Sequence, residues 1–349
     1  MPATSSPLWT LENQLNCNWT HLHEAETYSS TERDRLCTVL GSEVPEDTSF
    51  VVFGSLARGE MTPGSDLDWT LLLDGRTDTK HQAAIRTLIE RLSNADFVKP
   101  GPTGVFGSVV SSHPILNQIG GEDDTNRNTT QRILLLLESI AVGRPEAHER
   151  VRRLVIERYV EEDRGILNGR LFPQVLLNDI ARYWRTITID FVDKQKRGEG
   201  WALRNVKLRL SRKLIYISGL LTCFSLELDA NKEFVSGDGK PDPARLVDFL
   251  EERVRWRPLD ILADVCLRAD VSKETACALF DSYNLFLGML ADESQRKELK
   301  GLTVDDLGNS TVFSEASKLA RRFQQEGVHR LFFNDDKTLT DLLTRYCVF

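Results

Sequence analysis

No apolar run in this chain of 349 residues reaches the roughly 18 residues that a bilayer-spanning helix needs, so no membrane segment is expected. The opening MPATSSPLWT lacks a basic segment followed by an apolar one, which argues against a secretory signal and makes the cytoplasm the expected location. Cysteine is sparse. Cys17, Cys37, Cys223, Cys266, Cys277 and Cys347 form no C-x-x-C pair, so neither a zinc site nor a disulfide framework is suggested, and reduced, mostly buried thiols are expected. The six histidines have no partners at ligand spacing, and none is taken as catalytic. Positive charge is also short: the net charge of −8 disfavours broad contact with long DNA or RNA, so a phosphate-bearing ligand must meet a local basic patch. There is no internal repeat or low-complexity segment.

What is present is an ordinary globular composition, 41% hydrophobic and 28% charged, in a chain long enough for two domains. Residues 31–40 read as a helix, SFVVFG as a short strand and LDWTLLLDG as another, with Gly54, Pro63 and Gly64 punctuating the turn between them. A helix over residues 80–93 leads through KPGPTG to a third candidate strand, TGVFGSVVS. The first third is therefore mixed α/β. From Asn128, N-T-T-Q followed by RILLLLESIAVG has the polar cap and later glutamine of a helix start, and helical periodicity dominates from there to LTDLLTRY. The expected architecture is an α/β core, a mixed sheet backed by helices, over residues 1–143, followed by an all-α domain over 144–349. The GRP at Gly143 marks the boundary.

Within VVFGSLARGEMTPGSDLDWTLLLDG, side chains two apart on a strand share a face, so Asp66 and Asp68 project together while Leu67 and Trp69 turn into packing. Two adjacent carboxylates repel unless a cation lies between them, and hard oxygen ligands suit Mg²⁺, or Mn²⁺ in its place. Upstream, Gly54 permits close approach to the backbone. Ser55 offers a hydroxyl and an N–H to a phosphate oxygen, with Arg58 close behind. A phosphate site beside a metal site is what a nucleoside triphosphate requires.

GSLARGEMTPGSDLD resembles the Gly-Ser-x(9–13)-Asp-x-Asp signature of the DNA polymerase β-like nucleotidyltransferase superfamily. ARGE…SDLDWTLLL is similar to its bacterial branches, the uridylyltransferases and adenylyltransferases of nitrogen regulation and related proteins. DTNRNTTQRILLLLESIAVG also resembles the Asp-x-x-x-x-T-x-x-LLE-x-R segment of that group. The resemblance covers residues 50–145 and implies that Gly54 and Ser55 bind the triphosphate and that Asp66 and Asp68 hold the metal. It also implies a third carboxylate on a later strand, yet TGVFGSVVSSH carries none. Asp96 lies before that strand and Glu122, Asp123 and Asp124 after it; Asp124 is the candidate for the catalytic role.

In the helical half, Arg204, Lys207 and Ser211 share one face of ALRNVKLRLSRKLIYISGLL, so Lys207, then Arg204 and Arg212, are candidate phosphate contacts, with a solvated basic rim as the alternative. Asn178, Arg182 and Arg185 share a face expected to meet solvent, and Gly120-Gly121 reads as a plain turn. The expected activity is Mg²⁺-dependent transfer of an NMP from an NTP, ATP among them, to a hydroxyl of a protein or small-molecule acceptor. The alternative is a nucleotide-binding regulatory or scaffolding module on the same core, lacking a competent base.

Overall fold

The computed structural model describes residues 6–100, 105–196, 200–229, 234–236, 240–304 and 306–347. Four strands, β1 (Thr48–Phe53), β2 (Trp69–Leu73), β3 (Val109–Ser111) and β4 (Ser139–Gly143), form a mixed sheet in the order β3-β2-β1-β4. β1 pairs antiparallel with both neighbours, and β3 runs parallel to β2. Every residue of β1 and β2 is buried, which is why TSFVVF and WTLLL read as unbroken apolar runs rather than alternating ones. Residues 103 and 104 of the third candidate strand lie outside the described residues, and the ladder itself is confined to Val109–Ser111.

The chain divides into two compact units. One comprises Ala25–Tyr183 with Glu233–Arg255 and holds the whole sheet; the other comprises Met1–Glu24, Trp184–Lys232 and Trp256–Phe349. The helices that matter for the sheet are, after α1 (Pro7–Leu15), α2 (Thr20–Leu40), α3 (Gly54–Arg58), α4 (Thr79–Asn94), α5 (Ser112–Asn117), α6 (Asn126–Leu137) and α7 (Glu146–Glu161). On one sheet face, Phe50, Val52, Trp69 and Leu71 pack with Leu36 and Leu40 of α2 and Leu88 and Leu92 of α4. After Gly143 the described residues form helices and one isolated bridge, Val235–Pro241. No described helix is long and apolar enough to cross a membrane.

Three expectations change. RILLLLESIAVG is not one helix: α6 ends at Leu137, Glu138 leaves the helical conformation (φ −148°, ψ 43°), and SIAVG pairs with β1 as β4, with a bulge opposite Phe50 and Val51. The cap of α6 is Thr125, whose hydroxyl accepts from Asn128 N at 3.2 Å; Asn128 instead donates its side chain to Gln118 Oε1 and Asp123 O. ALRNVKLRLSRKLIYISGLL is two helices, Trp201–Arg209 and Ser211–Leu228, broken at Leu210 (φ −117°, ψ −85°).

β4 is locked to α7 by a chain of hydroxyls and one histidine. Ser49 Oγ on β1 donates to Arg144 O and accepts from His148 N at 2.9 Å. Ser139 Oγ donates to Leu135 O at 2.6 Å and lies 2.7 Å from His148 Nε2, so the imidazole donates there as the neutral ring. Burial, followed by the charges of Arg152 and Arg255, pulls His148 down to about 3 from 6.5. The unfolded chain takes up the proton first, so this stability is complete above pH 6.5 and is lost as pH falls toward 3. Denaturant titrations at pH 7 and pH 4 should show that His148→Gln removes a pH-dependent loss on the order of 3 kcal/mol.

Candidate active site

The β1–β2 ladder continues one step past β2: Phe53 N donates to Asp68 O at 2.8 Å. Directly after Phe53 the backbone turns at Gly54 into the left-handed region (φ +66°) and enters the short helix α3. That turn brings the Asp68 carboxylate against bare backbone, because a Cβ on Gly54 would lie 3.1 Å from Asp68 Oδ2. A side chain at position 54 would be strained by its φ and would crowd the carboxylate. Glycine is dictated by both.

Asp66 and Asp68 precede β2 rather than lying within it, yet the alternation expected of a strand persists. Leu67 and Trp69 are 1% and 2% exposed in the α2–α4 core, whereas Asp66 is exposed and Asp68 half-buried. Leu67 N donates to Val98 O at 2.9 Å, which pins the intervening residue. A tight turn ahead of the pair, with Ser65 N donating to Thr62 O at 3.0 Å and Thr62 N to Ser65 Oγ at 3.2 Å, sets its entry. On the Asp68 side of the sheet a small apolar cleft is lined by Phe53, Thr70, Leu72, Phe106, Gln131 and Leu134.

Arg58, the cation nearest the turn in sequence, is engaged within the protein, as is Arg132 of α6. Arg58, 8% exposed, donates Nε to Glu60 Oε2 at 2.8 Å and Nη1 to Glu138 Oε2. Glu138 stands one residue before β4, and Ser139 pairs with Phe53, so the two neighbours of β1 bring Asp68 to one side of the turn and Glu138 to the other. Arg132, fully buried, bonds both oxygens of Asp124 at 3.1 and 2.8 Å and Asp179 Oδ2 at 2.6 Å, while Tyr159 OH donates to Asp179 at 2.6 Å. Burial opposes ionisation of Asp124, but the bonds from Arg132 and Gly120 N and the charges of Arg132 and Arg182 outweigh it and hold the carboxyl below the usual range.

Residues 17–118 match the family model described as Putative nucleotidyltransferase DUF294. No curated protein matches the chain. The matched region spans the Gly-Ser turn, Asp66, Asp68 and β3, and it ends before α6; over this stretch the chain is similar to that family.

The structure thus joins Gly54 and Asp68 and leaves Ser55 half-buried at the start of α3. Arg58 is committed to carboxylates. Asp124 is an anchor between α6 and the helix Gln174–Lys196, which leaves a proton-accepting role for it without geometric support. Arg182, expected to face solvent, donates to Asp124 Oδ2 and Asn126 Oδ1, both at 3.0 Å. Arg204, Lys207 and Arg212 lie in the other unit, each half-buried. Sequence reasoning missed Glu60, Glu138, Arg132, Tyr159 and Asp179; a glutamate two residues after Arg58 and the LLE run were signals for the first two. Among the described residues no group of three or more His, Cys, Asp or Glu side chains is arranged to hold a metal.

Gly54→Ala should cost about 1–2 kcal/mol from the left-handed backbone alone, read by urea denaturation. Asp124→Asn should cost more, about 3–5 kcal/mol, because it withdraws a carboxylate from a fully buried guanidinium. The same denaturation measurement ranks the two.

Proposed function

We propose that the protein is a Mg²⁺-dependent nucleotidyltransferase that moves a nucleoside monophosphate from an NTP to a hydroxyl of a protein or small-molecule acceptor, with release of pyrophosphate. The observation that carries the proposal is the placement of Asp68 Oδ2 beside the bare backbone of Gly54, with Asp66 exposed two residues away. A group approaching that turn meets a glycine without a Cβ, the hydroxyl and N–H of Ser55, and carboxylate oxygens at once.

The donor set fits a hard divalent cation, Mg²⁺ or Mn²⁺: oxygen ligands from Asp66 and Asp68, one exposed and one half-buried, leave room for water and phosphate oxygens. When bound, such an ion neutralises charge that builds on the phosphate oxygens as pyrophosphate leaves. Gly54 and Ser55 orient the phosphates. Arg58 acts through Glu138 and Glu60, holding α3 against β4 so that the turn keeps its shape.

The test is incubation with each labelled NTP, Mg²⁺ or Mn²⁺, and a mixture of host proteins and small hydroxyl compounds, alongside direct measurement of NTP binding. Asp66→Asn/Asp68→Asn should lower label transfer by about 10²-fold or more. Undiminished transfer by that variant removes the mechanism. NTP binding by the wild type with no transfer to any acceptor moves the reading to a nucleotide-binding regulatory module.

A further inference from the structure

In the unit comprising Met1–Glu24, Trp184–Lys232 and Trp256–Phe349, the segment that follows α1 runs along one face of the helix Lys273–Ala291. Lys273, Cys277, Asp281, Asn284 and Gly288 are spaced four, four, three and four residues apart, which makes them a single stripe on that helix. Each meets the incoming segment in turn. Lys273 Nζ donates to Leu15 O at 2.8 Å, and Cys277 Sγ lies 3.8 Å from Cys17 Sγ. Trp19 Nε1 donates to Asp281 Oδ1 at 3.0 Å and Leu22 N to Asn284 Oδ1 at 3.1 Å; a Cβ on Gly288 would fall 2.7 Å from the His21 ring. Trp19, only 1% exposed, fixes the strip. The two sulfurs are therefore held in register by contacts on either side of them, and both cysteines are half-buried rather than sealed.

We propose that Cys17 and Cys277 form a redox-active dithiol, a modification site that hydrogen peroxide converts to an intramolecular disulfide. A disulfide bond is about 2.05 Å long, so closure asks the sulfurs to approach by about 1.8 Å from positions already adjacent. The thiolate of Cys17 attacks one peroxide oxygen, the O–O bond breaks, and sulfenic acid and hydroxide result. The Cys277 sulfur then displaces that hydroxyl; the S–S bond forms, and the Cys277 proton leaves with the oxygen as water. Two thiols and one peroxide become one disulfide and two waters. Burial, the adjoining Cys17 sulfur and the charge of Asp281 push the Cys277 thiol up against the pull of Lys273.

The link would span a sequence separation of 260 residues and tie the connection between α1 and α2 to the helix Lys273–Ala291. The other cysteines are poorly placed to compete for this bond: Cys223 and Cys266 are buried, and burial pushes Cys266 up to about 12. Cys37 and Cys347 are exposed and can be replaced by serine to prevent cross-linking between molecules.

The experiment treats the full-length Cys37→Ser/Cys347→Ser protein with equimolar hydrogen peroxide, alkylates under denaturing conditions and maps peptides by mass spectrometry. A Cys17–Cys277 linked peptide should appear and be reversed by dithiothreitol, and the oxidised protein should melt several degrees higher. Cys17→Ser and Cys277→Ser should each abolish the linked peptide and the melting shift, with the melting of each reduced variant checked against its parent. Full alkylation of both cysteines in the treated parent overturns the proposal without reference to any variant, as does a melting shift that persists in Cys17→Ser.

Discussion

The hydrogen bond from Phe53 N to Asp68 O fixes the register on which the candidate site depends. Strand side chains alternate with a period of two, so a slip of one residue between β1 and β2 would turn Asp66 and Asp68 into the core around Leu36 and Leu88 and would take Leu67 and Trp69 out of it. Burying two carboxylates among apolar side chains is far costlier than exposing them. Both faces therefore select the same register, and the turn at Gly54 receives the Asp68 carboxylate as a consequence.

A second register, between β1 and β4, sets the other side of the turn. Pairing of Phe53 with Ser139 places Glu138 at the end of β4, where Arg58 reaches it from α3 while also bonding Glu60. One buried guanidinium held by two carboxylates fastens the short helix to the strand. A comparable arrangement around Arg132 gathers Asp124, Asp179 and Tyr159, tying the loop before α6 to the helices behind it. Removing the guanidinium from such a cluster leaves carboxylates uncompensated in a low-dielectric setting, which makes each cluster a firm positional constraint.

The turn and the acid pair were legible because local chemistry dictates them: glycine at a positive φ, Pro63 and Gly64 in the connection, and apolar residues alternating with Asp66 and Asp68. β4 was not legible. Leu134 to Leu137 and then Ile140 and Val142 make a nearly unbroken apolar stretch, and periodicity alone cannot divide such a run between a buried helix and a strand. The break at Leu210 has neither glycine nor proline to announce it. The roles of Arg58, Asp124 and Arg182 were hidden for another reason. Their partners lie far away in sequence, 80 residues for Arg58 and Glu138 and 58 for Arg182 and Asp124, so a cation that reads as a ligand contact or a solvated face becomes an internal tie only in three dimensions.

These internal ties bear on how a triphosphate could be accommodated. Arg58 and Arg132 are each held by two carboxylates, and redirecting either toward a phosphate would take a cation away from buried acids. The Gly54–Ser55 turn itself offers backbone and hydroxyl donors but no formal positive charge, and Asp66 and Asp68 add negative charge beside it. On the proposed reading, charge balance at the reacting phosphates must therefore come from a divalent cation held by those two acids and from cations outside the sheet. That demand separates the carboxylate pair, whose loss should remove the chemistry, from Arg58, whose loss should first loosen the turn that the phosphates use.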